Sequence, residues 1–284
     1  MQNQRTLSNL MFLFPVSIVI FTFLLLPMLQ TLYYSFTDWQ GIGEYRFIGL
    51  ENYTQVFQDE TYLDALWRTL FIGTSAALLA NVFGLGLALV LNQALKTKNI
   101  LRALFYIPNV VPVVVAAFVW QFMLSGNGLI NSLFSIKIPW LDSPQYVVFS
   151  IIGISVWQMI GPIMIVYLAA LQGVPDELKE AAMVDGASAV RRFFTVTVPM
   201  IAPGITVNVL IGLANGIRLF DLPYALTGGG PANASETLAI RIYKYAFESA
   251  NLTFGMAASV VMTVVVLILT YFFVGLSTKY ERST

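Results

Sequence analysis

The sequence contains neither cysteine nor histidine, and only 11% of its 284 residues are charged, against about 25% in an ordinary soluble domain. Without cysteine there is no disulfide framework, no thiol nucleophile and no thiolate metal site. Without histidine the usual zinc ligand and the usual general base near neutral pH are missing too. A G-x-x-x-x-G-K-[ST] phosphate loop and a G-x-S-x-G elbow are also absent, so the chain lacks the parts for P-loop ATP hydrolysis or acyl transfer and is expected not to be an enzyme. Fifteen bases against fifteen acids give a net charge of zero, where a nucleic-acid partner would call for a basic stripe.

What remains is apolar. Hydrophobic residues make up 57% of the chain and the mean hydropathy is +0.75. Uncharged windows run over residues 6–37, 69–95, 103–136, 143–175, 193–217 and 249–278, each longer than the about 20 helical residues that cross a hydrocarbon core. The reading is an all-α membrane protein with six transmembrane helices, near 10–34, 69–95, 103–125, 146–171, 200–222 and 254–276, in a single domain over 1–284. The first run is too long for a signal peptide and offers no A-x-A site, so it is expected to stay as helix one. Prolines within the spans (Pro15, Pro27, Pro108, Pro112 and Pro162) would break soluble helices, but a bundle can re-satisfy the freed carbonyls.

With the N-terminus inside, the cytoplasmic side carries nine bases, among them Arg5, Lys96, Lys98, Arg102, Arg191 and Arg192, and the other side carries five. The excess of bases places both termini in the cytoplasm.

The segment between helices four and five, residues 172–199, is the most informative. Pro175 with Asp176 and Glu177 behind it starts a helix, and Gly186 is placed to cap it ten residues on. This predicts one short helix over 176–185 and a second from Ser188 to the stop at Pro199. A helix of that length is marginal in water and must pack on something. Leu178, Ala181, Ala182 and Asp185 share one face. That face packs either on the protein's own bundle or on a cytoplasmic partner.

Glu180-Ala181-Ala182, three residues, Gly186, nine residues and Val196-Thr197-Val198-Pro199 resemble the E-A-A-x3-G-x9-I-x-L-P loop of membrane subunits of binding-protein-dependent ABC importers. Val196 and Val198 stand for the family's isoleucine and leucine. SFTDW (35–39), GLENY (49–53), GNGLINSL (126–133), TGGGP (227–231), Tyr243, Phe247 and Phe254-Gly255 extend the likeness to the sugar-permease branch, maltose-transporter-like and of the larger type. The resemblance implies a type I ABC importer permease fold and a carbohydrate solute. It implies a second permease subunit, two ATPase subunits and an extracytoplasmic sugar-binding protein as partners in a bacterial inner membrane. The cofactors, ATP and magnesium, would sit on the ATPases and none on this chain. Glu180 would face an ATPase arginine, with Leu178, Ala181, Ala182, Asp185 and Gly186 forming the rest of the coupling helix. The maltose protein's extra N-terminal helices and large extracytoplasmic domain have no counterpart, since the first loop covers only about 38–66.

For the solute path, the fifth window carries Gly204, Asn208, Gly212 and Gly216 at four-residue spacing, with Asn215 beside them and Arg218 and Asp221 near the outer end. Small residues four apart allow close helix approach, whereas amides and charges within a span mark a polar pathway. Both readings stay open for Asn208 and Asn215, and Arg218 and Asp221 either pair at i, i+3 or face the path. Trp157, Gln158 and Gly161 in helix four, with Trp120 and Gln121 in helix three, complete the candidates. Amides and aromatic faces suit a neutral sugar. A glycerol phosphate would want unpaired bases, of which Arg218 is the one at hand. A secondary transporter would want deep protonatable groups, and Asp221 is the one carboxylate far into a span.

Overall fold

A computed structural model describes residues 13–281, with side-chain environments to residue 275. Arg5, Arg282 and the first residues of the expected helix one lie outside the described residues. The chain is helical throughout its described spans: α1 (Leu13–Tyr34), α2 (Glu51–Gln58), α3 (Glu60–Leu91), α4 (Lys98–Val110), α5 (Val113–Leu124), α6 (Leu129–Phe134), α7 (Pro144–Gln172), α8 (Asp176–Val184), α9 (Ala189–Met200), α10 (Ala202–Ile217), α11 (Asp221–Thr227), α12 (Leu238–Tyr243) and α13 (Leu252–Glu281). Among the described residues five stretches are long and apolar enough to cross a membrane: α1, α3, α7, α13 and α5 with α6 taken together (Val113–Phe134). A sixth span is reached when α9 and α10, bent by 72° at Ile201, are counted as one.

Several boundaries differ from the sequence reading. The second helix starts at Glu60 rather than 69, because Asp64 and Arg68 sit one turn apart and pair at 3.3 Å, so charge there does not end the helix. The third is two helices, since Pro112 can neither donate to the preceding turn nor leave Val111 helical, and Val111 is extended at ψ 125°. The fifth is only Ala202–Ile217, with α11 following after a break.

The chain divides into two compact units, Met1–Leu63 with Arg241–Val264, and Asp64–Ile240 with Val265–Thr284. In the first, α1 has no buried residue in its apolar window, which is tenable only in a lipid solvent. The SFTDW and GLENY segments meet here. Buried Asn52 donates from Nδ2 to the carbonyls of Ser35 and Thr37, both at 2.9 Å, and the Ser35 and Tyr53 hydroxyls are 2.6 Å apart. Asp59 accepts hydrogen bonds from the Thr61 and Tyr62 amides and from the Thr61 and Tyr245 hydroxyls. Partial burial pushes its carboxyl up, but these donors outweigh it and hold it below the usual carboxylate range. Burial, and then the bond to Asp59, push the Tyr245 phenol up to about 12.

The second unit is organised along α7. One buried cluster gathers Ile72, Ala117, Val147, Ile151 and Leu222 around the half starting at Pro144. Another gathers Ala80, Leu91, Ile163, Met164, Leu171 and Ile201 around the half ending at Gln172. Ser155 and Gln158 lie between the two.

Candidate functional site

The four-residue stripe of α10 finds its partner on α3, and the two helices run antiparallel in a common register. A Cβ on Gly216 would lie 2.5 Å from the Gly73 Cα, and one on Gly212 would lie 3.0 Å from the Ala77 Cβ. Ordinary carbon contacts are about 3.5–4.0 Å, so glycine is required where the two backbones touch. Gly204 meets Ala170 of α7 in the same way, and Gly161 of α7 abuts the Phe105 carbonyl of α4.

The next rung joins amides. Asn81 of α3 donates to the Ala77 carbonyl at 2.8 Å and accepts from the Tyr167 hydroxyl at 2.6 Å. Asn208, 1% exposed, donates to the Ile163 carbonyl at 3.1 Å, and its side-chain oxygen is buried without a hydrogen-bond partner. Asn81 with Tyr167, and Asn208 with Ile163, therefore bind α3, α7 and α10 together at depth, where an interhelical hydrogen bond is worth about 0.6–2 kcal/mol. Asn208, Gly212 and Gly161 thus stand at helix contacts. None of the three lines the cavity described next.

Further out the same helices part around a cavity of about 480 Å³, lined by Gln158, Asn215, Gly216, Arg218 and Asp221 together with Asn109, Val113, Ser155 and Met159. Interrupted helices surround it. Pro108 and Pro112 break the α4–α5 span beside Asn109, and α10 ends at Ile217 just before Arg218. Pro162 deprives the Gln158 carbonyl of its helical donor. Irregular backbone at membrane depth is tolerated where it lines a cavity. Ser155, only 5% exposed, has a hydroxyl with no hydrogen-bond partner in the protein, a costly state that a bound solute or water relieves. Of the two readings for Arg218 and Asp221, the i, i+3 pair is not formed, because the helix ends between them. Arg218 Nε turns back to the Ala214 carbonyl at 3.4 Å, and both residues line the cavity.

Trp157 is not on this wall. Its ring makes an edge contact with Trp120, centroids 5.5 Å apart, on the outer side of the cavity, and Gln121 donates to the Leu226 carbonyl at 3.1 Å. Sequence reasoning missed Asn109 and Ser155. The pair of prolines around Asn109 was the signal for one, and nothing marked the other.

Beyond the far end of α7, α8 stops in a Schellman turn in which Gly186 (φ +77°) donates to the Met183 carbonyl at 3.0 Å and Ala187 to that of Ala182 at 2.9 Å. Ser188 caps α9 by accepting from the Arg191 amide. Of the expected face, Leu178, Ala181 and Asp185 point outward with Glu180, while Ala182 is half-buried toward the chain. Val184 is 88% exposed, and Met183, Val190 and Phe194 are each more than half exposed. These four extend an apolar surface that no described residue covers.

The family model described as binding-protein-dependent transport system inner membrane component matches residues 80–281. The trehalose/maltose transport system permease protein of Thermococcus litoralis is 33% identical over 93% of this chain and 91% of its own length. The sn-glycerol-3-phosphate transport system permease protein of Yersinia pestis is 34% identical over 91% of each. A solved bacterial ABC transporter involved in import of the acidic polysaccharide alginate superposes with a TM-score of 0.84 at 24% identity, over 98% of this chain and 99% of that one, which establishes a shared fold. Six apolar spans, a cavity between broken helices and a capped, uncovered loop helix belong to that architecture, and the chain is a member of the binding-protein-dependent transport system inner membrane component family.

Proposed function

We propose that this chain is the membrane subunit of an ABC importer that passes a neutral mono- or oligosaccharide from an extracytoplasmic binding protein to the cytoplasm by alternating access. The observation that carries the solute class is the cavity itself. One uncompensated base, Arg218, and one acid, Asp221, leave it without net charge, and the amides of Asn109, Gln158 and Asn215 and the orphan Ser155 hydroxyl offer donors and acceptors to a polyol. The trehalose/maltose relative supports this reading. A second reading, an anionic solute such as glycerol phosphate, is favoured by Arg218 and by the glycerol-phosphate relative. Asp221 on the same wall opposes it.

In this reading the uncovered surface of α8 and α9 docks on one of two partner ATPases, where ATP and magnesium bind, with Glu180 at the contact. A second permease subunit completes the pathway, and both termini lie in the cytoplasm of a bacterial cell. The test is uptake by the assembled importer, with its binding protein, in vesicles supplied with maltose, trehalose or glycerol phosphate. Asn215→Leu and Gln158→Leu should each cut carbohydrate uptake by roughly 5- to 150-fold, from a lost hydrogen bond of about 1–3 kcal/mol, with assembly intact. Wild-type uptake of glycerol phosphate and of no carbohydrate refutes the solute class.

A further inference from the structure

A second polar cavity, of about 480 Å³, lies at the outer end of the bundle beneath the TGGGP turn and is lined by Gln121, Ser125, Asp142, Thr227, Gly230 and Pro231. Its donors are turned inward. The Gln121 amide donates to the Leu226 carbonyl, the Ser125 hydroxyl to that of Phe122 at 3.0 Å, the Thr227 hydroxyl to that of Pro223 at 3.1 Å and the Gly230 amide to that of Thr227 at 3.0 Å. With those donors engaged, the lining residues with acceptor capacity to spare are Asp142, through its carboxylate, and Gln121, through its side-chain oxygen, beside Pro231. Such a lining repels anions and suits a ligand rich in hydroxyl donors. One helix joins the two cavities. Helix α11 has Asp221 and Leu222 on the inner wall and Leu226 and Thr227 on the outer wall, and the half-buried Trp120–Trp157 pair packs on the buried cluster to which Leu222 and Leu226 belong. Aromatic edges and faces are surfaces along which a sugar's C–H groups slide.

We propose that this outer cavity is a waiting subsite for a neutral saccharide, occupied after release from the binding protein and before passage by Trp120 and Trp157 to the inner cavity. It rests on the carbohydrate reading above, and it adds selection: acceptors screen out anions before the solute meets Arg218.

Because the chain has no cysteine, a single Ser125→Cys or, independently, Thr227→Cys reports on the outer cavity, and Asn215→Cys reports on the inner one. The assembled importer in vesicles, without ATP, is treated with a small cationic methanethiosulfonate, and the rate is compared between solute-free binding protein and binding protein loaded with maltose or trehalose. The subsite predicts at least fivefold slower modification of both outer cysteines with the loaded protein. Protection at Asn215→Cys alone overturns the subsite and leaves the carbohydrate reading standing. Protection nowhere overturns both. Equal protection by solute-free binding protein would put a protein loop in the cavity and likewise overturn the subsite.

Discussion

Gly216→Ala tests a contact on the wall of the inner cavity, which both Gly73 and Gly216 line. The added methyl would sit 2.5 Å from the Gly73 Cα and 2.8 Å from its carbonyl oxygen, and both are backbone atoms with no rotamer to yield. Restoring an ordinary carbon contact of about 3.5 Å requires α3 and α10 to separate by roughly 1 Å. That loosens the Ala77–Gly212 rung and lengthens the Asn81–Tyr167 and Asn208–Ile163 bonds beyond it. Overpacking of this kind costs about 1–3 kcal/mol, a factor of roughly 5 to 150 in the folding equilibrium. Gly86→Ala is the matched control in the same α3 helix: nothing lies within 4 Å of its added methyl, and helix propensity favours alanine by about 1 kcal/mol. Thermal unfolding of the purified importer should therefore move down for Gly216→Ala and hold or rise for Gly86→Ala. Equal stability of the two variants would show that the backbones do not meet at this rung and would refute the register.

Asn208→Leu removes a bond to the Ile163 carbonyl, so it should reduce assembly and stability, by about 1–3 kcal/mol, before it alters solute preference; normal yield with a changed preference would return Asn208 to the pathway. Gly186 has open space around it, and only its positive φ resists a side chain. Gly186→Asn should therefore couple nearly normally, and Gly186→Leu should lose about 1–2 kcal/mol of cap stability. Glu180→Lys, which reverses an exposed charge, should lower ATPase co-purification without that loss. Tyr245→Phe should destabilise by about 0.5–1 kcal/mol, the low end because Asp59 is partly exposed. The depressed Asp59 contributes above about pH 3.9 and is lost as pH falls through its lower folded value. The raised Tyr245 contributes fully below about pH 10 and is lost as pH rises through about 12. The difference between wild type and variant should hence be flat from about pH 5 to 9 and shrink outside it.

The apolar windows and the loop helix were legible because each rests on local chemistry: a run long enough to span, a proline and two acids that start a helix, and a glycine at ease at φ +77°. The site was only half legible. A four-residue stripe reports that something comes close and does not say what, and its partner residues Gly73, Ala77 and Asn81 lie more than a hundred positions away. An asparagine within a span reads alike whether it faces a neighbouring helix, as Asn208 does, or open space, as Asn215 does. Ser155 was invisible because a lone serine in a helix usually bonds back to its own backbone. Only the fold shows that this one is buried without a partner.

The elbow at Ile201 can also be regarded as mechanics. This residue is fully buried among Leu171, Val174 and Met164, so it is pinned, and two stiff arms leave it at 72°. At about 1.5 Å per residue, the twelve residues of α9 make an arm of roughly 18 Å and the sixteen of α10 one of roughly 24 Å. A push of about 3 Å against Val190 and Phe194 would turn the pair by roughly 10° and swing Asn215 by about 4 Å. Moved as one rigid piece, the pair would act as a bell crank whose fulcrum is a single isoleucine, turning thrust along the loop into lateral displacement of the cavity wall with a small gain in stroke.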